Sequence, residues 1–316
     1  VRVPLPDGAG TTAFDPAVHG LPFPNAFVNV LVRLPGGRRL ATAGRCGGMA
    51  ALALDHFVAG VPAPRLPADL WAPSRVPPDE HVLARAVLRR QLRSFAHPSA
   101  LRFLAWSLLP DGDLGPLAGV ERRTVADEVP RLVALLDAGR PAVLGLVVAR
   151  ALPRAGDNHQ VVAFGWERRG PTTTVLVHDP NSPGRTVRLV HDDAATGWAA
   201  TNGARWRGLF VHPHHATPPP VLTREPADPR RVVRGGDTVV LCEVRTGRRL
   251  APARVAVDGR ELEAADGSRR AVRRDPGAGG TWRAGERVAL GPVAGRGRAE
   301  DRWTVVEARR GPGQER

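Results

Sequence analysis

Two cysteines occur in 316 residues, and one of them, Cys46 in "AGRCGGMAALALDHF", stands where a thiol can act. From Met49, the residues Ala50, Leu54, Phe57 and Val58 recur at helical spacing. Gly60 and Pro62 stop the run, which predicts a helix of about 12 residues with Cys46 at its N-terminal edge. The positive end of a helix favours a thiolate, the nucleophilic form of the side chain. Gly47 and Gly48 would let backbone approach a reacting carbonyl closely, with the Cys46 N–H as one oxyanion donor. Cys242 alternates with apolar residues in "TVVLCEV" and reads as structural.

An activated thiol also needs an imidazole held by a third group. His159 opens the β-rich run "HQVVAFGWE" directly after the loop "PRAGDN", and "TTVLVHD" follows across a turn at Arg169-Gly170. Tight antiparallel pairing around that turn sets His159 opposite Asp179, where directly opposed Cβ atoms are roughly 5 Å apart. A one-residue change in the turn, or a bulge, sets Asn181 opposite instead. Asp179 is therefore the expected orienter and Asn181 the alternative.

"GRCGGM" opening a helix, followed far downstream by "NHQVVAFGW" and "VHDPNSPG", resembles a papain-fold cysteine peptidase. The similarity is greatest to the branch that includes the peptidase domains of bacteriocin exporters and related bacterial proteins, and it covers roughly residues 20–212. The resemblance implies Cys46 as nucleophile, His159 as general base and acid, Asp179 as its orienter, an acyl-enzyme intermediate, a peptide or protein substrate and no cofactor. One part of the pattern differs. The family places a glutamine about six residues before the cysteine as second oxyanion donor, whereas Leu40 stands there and no glutamine precedes Cys46. Asn25 and Asn29 in "FPNAFVN" have the same amide chemistry; Asn29 is the expected donor and Asn25 the alternative. The same residues also fit two rival readings, a catalytically inactive papain-fold binding or scaffold protein and an acyltransferase using the same triad.

The elements that would position these groups form an α+β plan. "AFVNVLVRLPGGRRLAT" reads as a hairpin turning at Pro35-Gly36-Gly37. Helices are predicted at 78–96 and 98–109, the first with Val82, Ala86, Leu88, Leu92 and Phe95 inward and Arg85, Arg89, Arg90 and Arg93 in solvent. A further helix is expected from a capping box at Thr124 to Gly139. Strands follow at 141–149, 159–167, 173–179, 185–191 and 205–212. This gives an extended segment at 1–24, a papain-like domain at 25–212, a linker at 213–221 and a small basic all-β domain at 222–316. Trp198, Trp206, Trp282 and Trp303 are expected to anchor β cores.

All 45 cationic side chains are arginine, and the chain has no lysine, tyrosine or isoleucine, which points to a GC-rich bacterial coding sequence. The formal charge of +14 is dispersed in pairs rather than in a tract, so no specific nucleic acid is expected. Residues 222–316 hold 21 arginines against 14 acids, which makes an anionic partner conceivable for that domain. No run is long and apolar enough for a membrane span. Two distant cysteines indicate neither a disulfide framework nor a metal site, and His212, His214 and His215 read as linker rather than metal ligands. Localisation is open, with the cytoplasm favoured over secretion.

Overall fold

The computed structural model describes residues 6–33, 39–222, 232–274, 282–283, 285–292 and 302–310. It is a mixed α+β protein in two compact units, Val1–Val61 with Ala86–Pro219, and Pro62–Arg85 with Pro220–Arg316.

The first unit is built on an antiparallel sheet ordered β10-β4-β5-β6-β7-β8-β9: Gly208–His212, Ala142–Val147, His159–Arg169, Thr172–His178, Thr186–Asp192, Trp198–Ala200 and Arg205–Trp206. An additional strand β1, Gly8–Thr11, pairs with β5, so part of the expected extended N-terminal segment belongs to the sheet. Strand alternation gives the sheet two apolar faces. Leu144, Leu146, Val161, Ala163, Val175 and Val177 pack with Leu132 and Leu136 of helix α6, Val129–Asp137. Val143, Val162 and Phe164 pack with Ala50, Ala53 and Leu54 of α2, Cys46–Val58.

The early hairpin forms as β2, Val28–Arg33, and β3, Arg39–Ala43, while its turn lies outside the described residues. Helix α1, Pro16–His19, is a single turn; α3 and α4 span Val82–Ala96 and Ala100–Leu108. The face expected for α3 is rotated. Leu92 and Phe95 are exposed, while Arg90 and Gln91 are buried. Arg90 bonds ionically to buried Asp55 of α2, with Nε 2.9 Å from Oδ2. Polar groups with partners override the apolar pattern there.

The helix expected to begin at Thr124 begins earlier, as α5, Val120–Arg122, and runs through a π-helical segment, Arg123–Glu128, into α6. Thr124 is not its cap. The Thr124 hydroxyl accepts from Leu209 N at 3.1 Å and donates to Leu209 O at 3.2 Å, which fastens the helix to β10. The widened turn precedes Pro130, whose missing N–H removes one helical bond. Gly139, at φ +71°, ends the helix.

In the second unit, β12-β13-β14-β15-β17-β18 close an antiparallel barrel: Thr238–Glu243, Ala253–Val255, Glu261–Ala264, Arg269–Arg274, Arg287–Pro292 and Arg302–Arg309. Short strands β11, Val232–Val233, and β16, Trp282–Arg283, pair beside it. Trp282 and Trp303 anchor its core, as expected of them. Residues 62–85 join this unit through specific bonds. Trp71 Nε1 donates to Val244 O at 2.9 Å, Val82 N to Thr246 O at 3.0 Å, and the Arg287 guanidinium to the carbonyls of Asp69 and Leu70. No helix among the described residues is long and apolar enough to cross a membrane.

Candidate active site

Cys46 is the first residue of α2, and three features of the chain put it there. Gly44 takes φ +80°, a left-handed conformation that permits the turn out of β3. Arg45 then caps the helix without a side-chain bond, and its carbonyl accepts the first helical hydrogen bond from Met49. Gly48 N donates to Gln91 Oε1 at 2.7 Å, which ties the helix start to α3. The two glycines are needed for packing. A Cβ on Gly48 would lie 2.1 Å from the Val87 carbonyl oxygen, and one on Gly47 would overlap the Gln160 side chain.

His159 is the first residue of β5. Its Nε2 is 2.7 Å from Asp179 Oδ1, and the ring lies close enough to Cys46 for the two to shift each other's ionisation. With Nε2 committed to Asp179, Nδ1 is the nitrogen left for the thiol. Trp206 lies almost parallel to the imidazole, with ring centroids 5.7 Å apart at 11°. Asp179 is held in turn, accepting from Asn181 N at 2.8 Å on Oδ1 and from Asn202 Nδ2 at 2.8 Å on Oδ2. The Asn181 amide lies 3.4 Å from His159 Nε2, a longer contact than that of Asp179.

The pairing that produces this differs from the tight register. The hairpin closes around Gly170-Pro171 rather than Arg169-Gly170, pairing Arg169 with Thr172, and a bulge between Ala163 and Gly165 then takes back one residue, so that Val162 pairs with His178. Continued to the strand end, this register would set Asn181 opposite His159. The chain leaves the ladder at Asp179-Pro180, and the carboxylate swings to the imidazole. Asp179 and Asn181 share the parity of His159, which keeps both on its face.

The electrostatics follow from this geometry. Burial acts to raise the Cys46 pKa, but the bond to His159, its charge, and the backbone N–H groups of Gln160 and Gly47 outweigh it and hold the thiol below its ordinary value. Burial acts to lower His159, yet Asp179 and Cys46 together push it up to about 10. Burial likewise opposes ionisation of Asp179, and its bonds to His159, Asn181 and Asn202 keep it below the ordinary carboxylate value. The favoured state is a thiolate–imidazolium pair anchored by a carboxylate. Cys242 is buried and pushed up to about 12, which suits a structural thiol.

The two asparagines differ in what their amides hold, and Asn29, the expected donor, is the one engaged elsewhere. Asn29 Nδ2 donates to Gly44 O at 2.9 Å and its Oδ1 accepts from Arg45 Nε at 2.6 Å, so both ends of the amide hold the approach to the helix. Asn25 lies between the two halves of the site. Its N–H donates to Pro180 O at 3.1 Å and its Oδ1 accepts from Arg45 N at 2.5 Å. Its amide nitrogen has no partner among the described residues, nor does the Cys46 N–H.

The segment expected as a linker is tied to α2 over its first part. His214 Nε2 lies 3.0 Å from Asp55 Oδ1, and Thr217 bonds the same carboxylate through N and Oγ1. His212 is already in β10. Proline-rich composition here marks an extended path with its own polar contacts. No group of histidines, cysteines and acids among the described residues has metal-binding geometry. Asn202, Trp206, Gln160 and Gln91 carry no motif that marks them in the sequence, because each reaches the site through a contact made by folding.

Comparison with known families, curated proteins and solved structures gave no match.

Proposed function

We propose that the protein is a papain-like thiol hydrolase, acting on a peptide or protein carbonyl through Cys46, His159 and Asp179. The observation that carries this reading is the arrangement of Cys46, at a helix N-terminus and electrostatically coupled to His159, with His159 Nε2 2.7 Å from Asp179 Oδ1. The order of nucleophile, base and orienter along the chain supports it further.

In the reaction, Cys46 Sγ attacks the substrate carbonyl and forms a tetrahedral oxyanion. The Cys46 N–H donates to that oxygen, and Asn25 Nδ2 is the side-chain amide best placed to join it, since Asn29 is engaged elsewhere. His159, protonated in the resting pair, gives its proton to the leaving amine as the C–N bond breaks. A thioester remains on Cys46. Water then attacks it, His159 takes the water proton, and the thiolate leaves as the acid product forms. Asp179 stays ionised and holds the ring throughout, as in other nucleophile–base–acid sites. Transfer of the acyl group to an amine instead of water would use the same residues.

Intact-mass spectrometry after mixing with an activated ester such as p-nitrophenyl acetate tests the reading. A covalent acetyl adduct on Cys46, absent in Cys46→Ala, is expected. Absence of adduct from the native chain under conditions in which it stays folded would refute it.

A further inference from the structure

A second feature lies directly beside the nucleophile. Gly47, whose N–H faces the Cys46 sulfur, also lines a cavity of about 150 Å³ between α2, α3 and the start of β5. A carboxylate-sized group fits such a volume, which is several times the minimum for one water.

The lining is one-sided in its chemistry. Gln160 is 4% exposed; its Oε1 packs against Gly47, and Nε2 at the other end of the amide has no hydrogen-bond partner among the described residues. A buried donor left unpaired costs free energy, so a ligand that accepts from it recovers that cost. Arg93, exposed on α3, has no ion-pair partner among the described residues. His97 accepts from Ser99 N at Nδ1, 3.1 Å away, which leaves its proton on Nε2 as a donor. His215 adds a second imidazole, tilted against His97 with ring centroids 5.9 Å apart. Among the described residues no Asp or Glu lines the cavity. The neighbouring acid, Asp55, is already saturated by Arg90, His214 and Thr217.

We propose that this cavity is an acceptor site for a carboxylate, and that it receives an acidic side chain of the substrate next to the bond presented to Cys46. The assignment of the ligand to substrate rests on the thiol-hydrolase reading; the preference for a carboxylate rests on the lining alone.

Titration of the full-length Cys46→Ala protein with N-acetyl-aspartate amide, N-acetyl-asparagine amide and inorganic phosphate, followed by imidazole NMR signals of His97 and His215, tests it without any turnover. Saturable shifts with the aspartyl probe are expected, about tenfold weaker with the asparaginyl probe and about tenfold weaker for the aspartyl probe in Arg93→Gln. Gln160→Leu is expected to weaken binding similarly; Arg93→Gln, at an exposed position, decides the matter if that variant fails to fold. No saturable shift, or equal binding of the two amides, overturns the carboxylate site. Tighter binding of phosphate than of the aspartyl probe overturns the substrate assignment in favour of a free anion. The alkylation rate of Cys46 in the native chain is read separately. Rapid alkylation with no aspartyl binding refutes the cavity alone, and aspartyl binding with an unreactive Cys46 refutes the hydrolase reading alone.

Discussion

His159 Nε2 lies 2.7 Å from Asp179 Oδ1, although the ladder that carries them pairs Val162 with His178 and would set Asn181, not Asp179, opposite the imidazole. The carboxylate reaches the ring because the chain turns at Pro180 and because Asn181 N and Asn202 Nδ2 fix both of its oxygens. Asp179→Asn removes the charge that favours the imidazolium. The Cys46 thiol pKa should then rise, and its alkylation rate at pH 6 should fall by about tenfold or more. Asn181→Ala, which removes the 3.4 Å contact, should change that rate by less than about threefold. A rate-against-pH series on both variants checks the order of the two effects.

Asn25 and Asn29 should separate by reaction type. Alkylation at a saturated carbon develops no oxyanion, whereas acylation by an ester does. Asn25→Ala should therefore lower the acylation rate by about 100-fold while leaving iodoacetamide alkylation nearly unchanged, since one oxyanion donor is worth roughly that factor. Asn29→Ala should instead lower stability, because its amide bonds Gly44 O and Arg45 Nε. Parallel ester and iodoacetamide kinetics, with a denaturation curve for each variant, distinguish the two roles.

Gly48→Ala should destabilise the first unit by about 2 kcal/mol or more, since the added methyl meets the Val87 backbone oxygen at 2.1 Å and neither helix can yield without moving. The loss is measured by chemical denaturation. A variant as stable as the native chain would show that α2 and α3 do not pack as described.

Acid stability has a definite sign. His56 and His178, buried in the first unit, are lowered by burial to about 4. In the unfolded chain they titrate near 6.5, so the unfolded state binds the extra protons between those values. Each contribution is complete above pH 6.5 and is lost progressively down to pH 4, about 3 kcal/mol per group. Asp179, depressed in the folded state, adds a loss at lower pH, as it protonates. His159 acts in the opposite direction, losing its contribution as pH rises through about 10. Denaturant midpoints at intervals from pH 8 to 4 should fall over the histidine window, and the fall should be shallower in His178→Phe.

The sequence shows the thiol, its helix, the β-run beginning at His159 and the turn at Asp179-Pro180-Asn181, because each has a local signature: apolar period, β-branched run, turn residues. It also shows a mixed α+β protein with a β-rich end. The rest depends on contacts between distant segments. The bulge near Phe164 is a property of paired strands and shifts the register by a residue that no single strand records. Arg90 reads as a solvated charge on α3 because its partner, Asp55, is 35 positions away on another helix. Asn202 and Trp206 converge on Asp179 and His159 only after β7 and β8 have returned the chain to the sheet. Thr124 looks like a cap from its neighbours, yet its hydroxyl is bonded to Leu209.

The most direct test of the central claim is the second-order rate of iodoacetamide alkylation at Cys46, measured site by site at pH 7 in the native chain and in His159→Ala. Cys46 is expected to react at least about tenfold faster than a free model thiol, Cys242 to remain unlabelled, and His159→Ala to remove the excess. A Cys46 that reacts no faster than the model thiol, at a rate indifferent to His159→Ala, would contradict it.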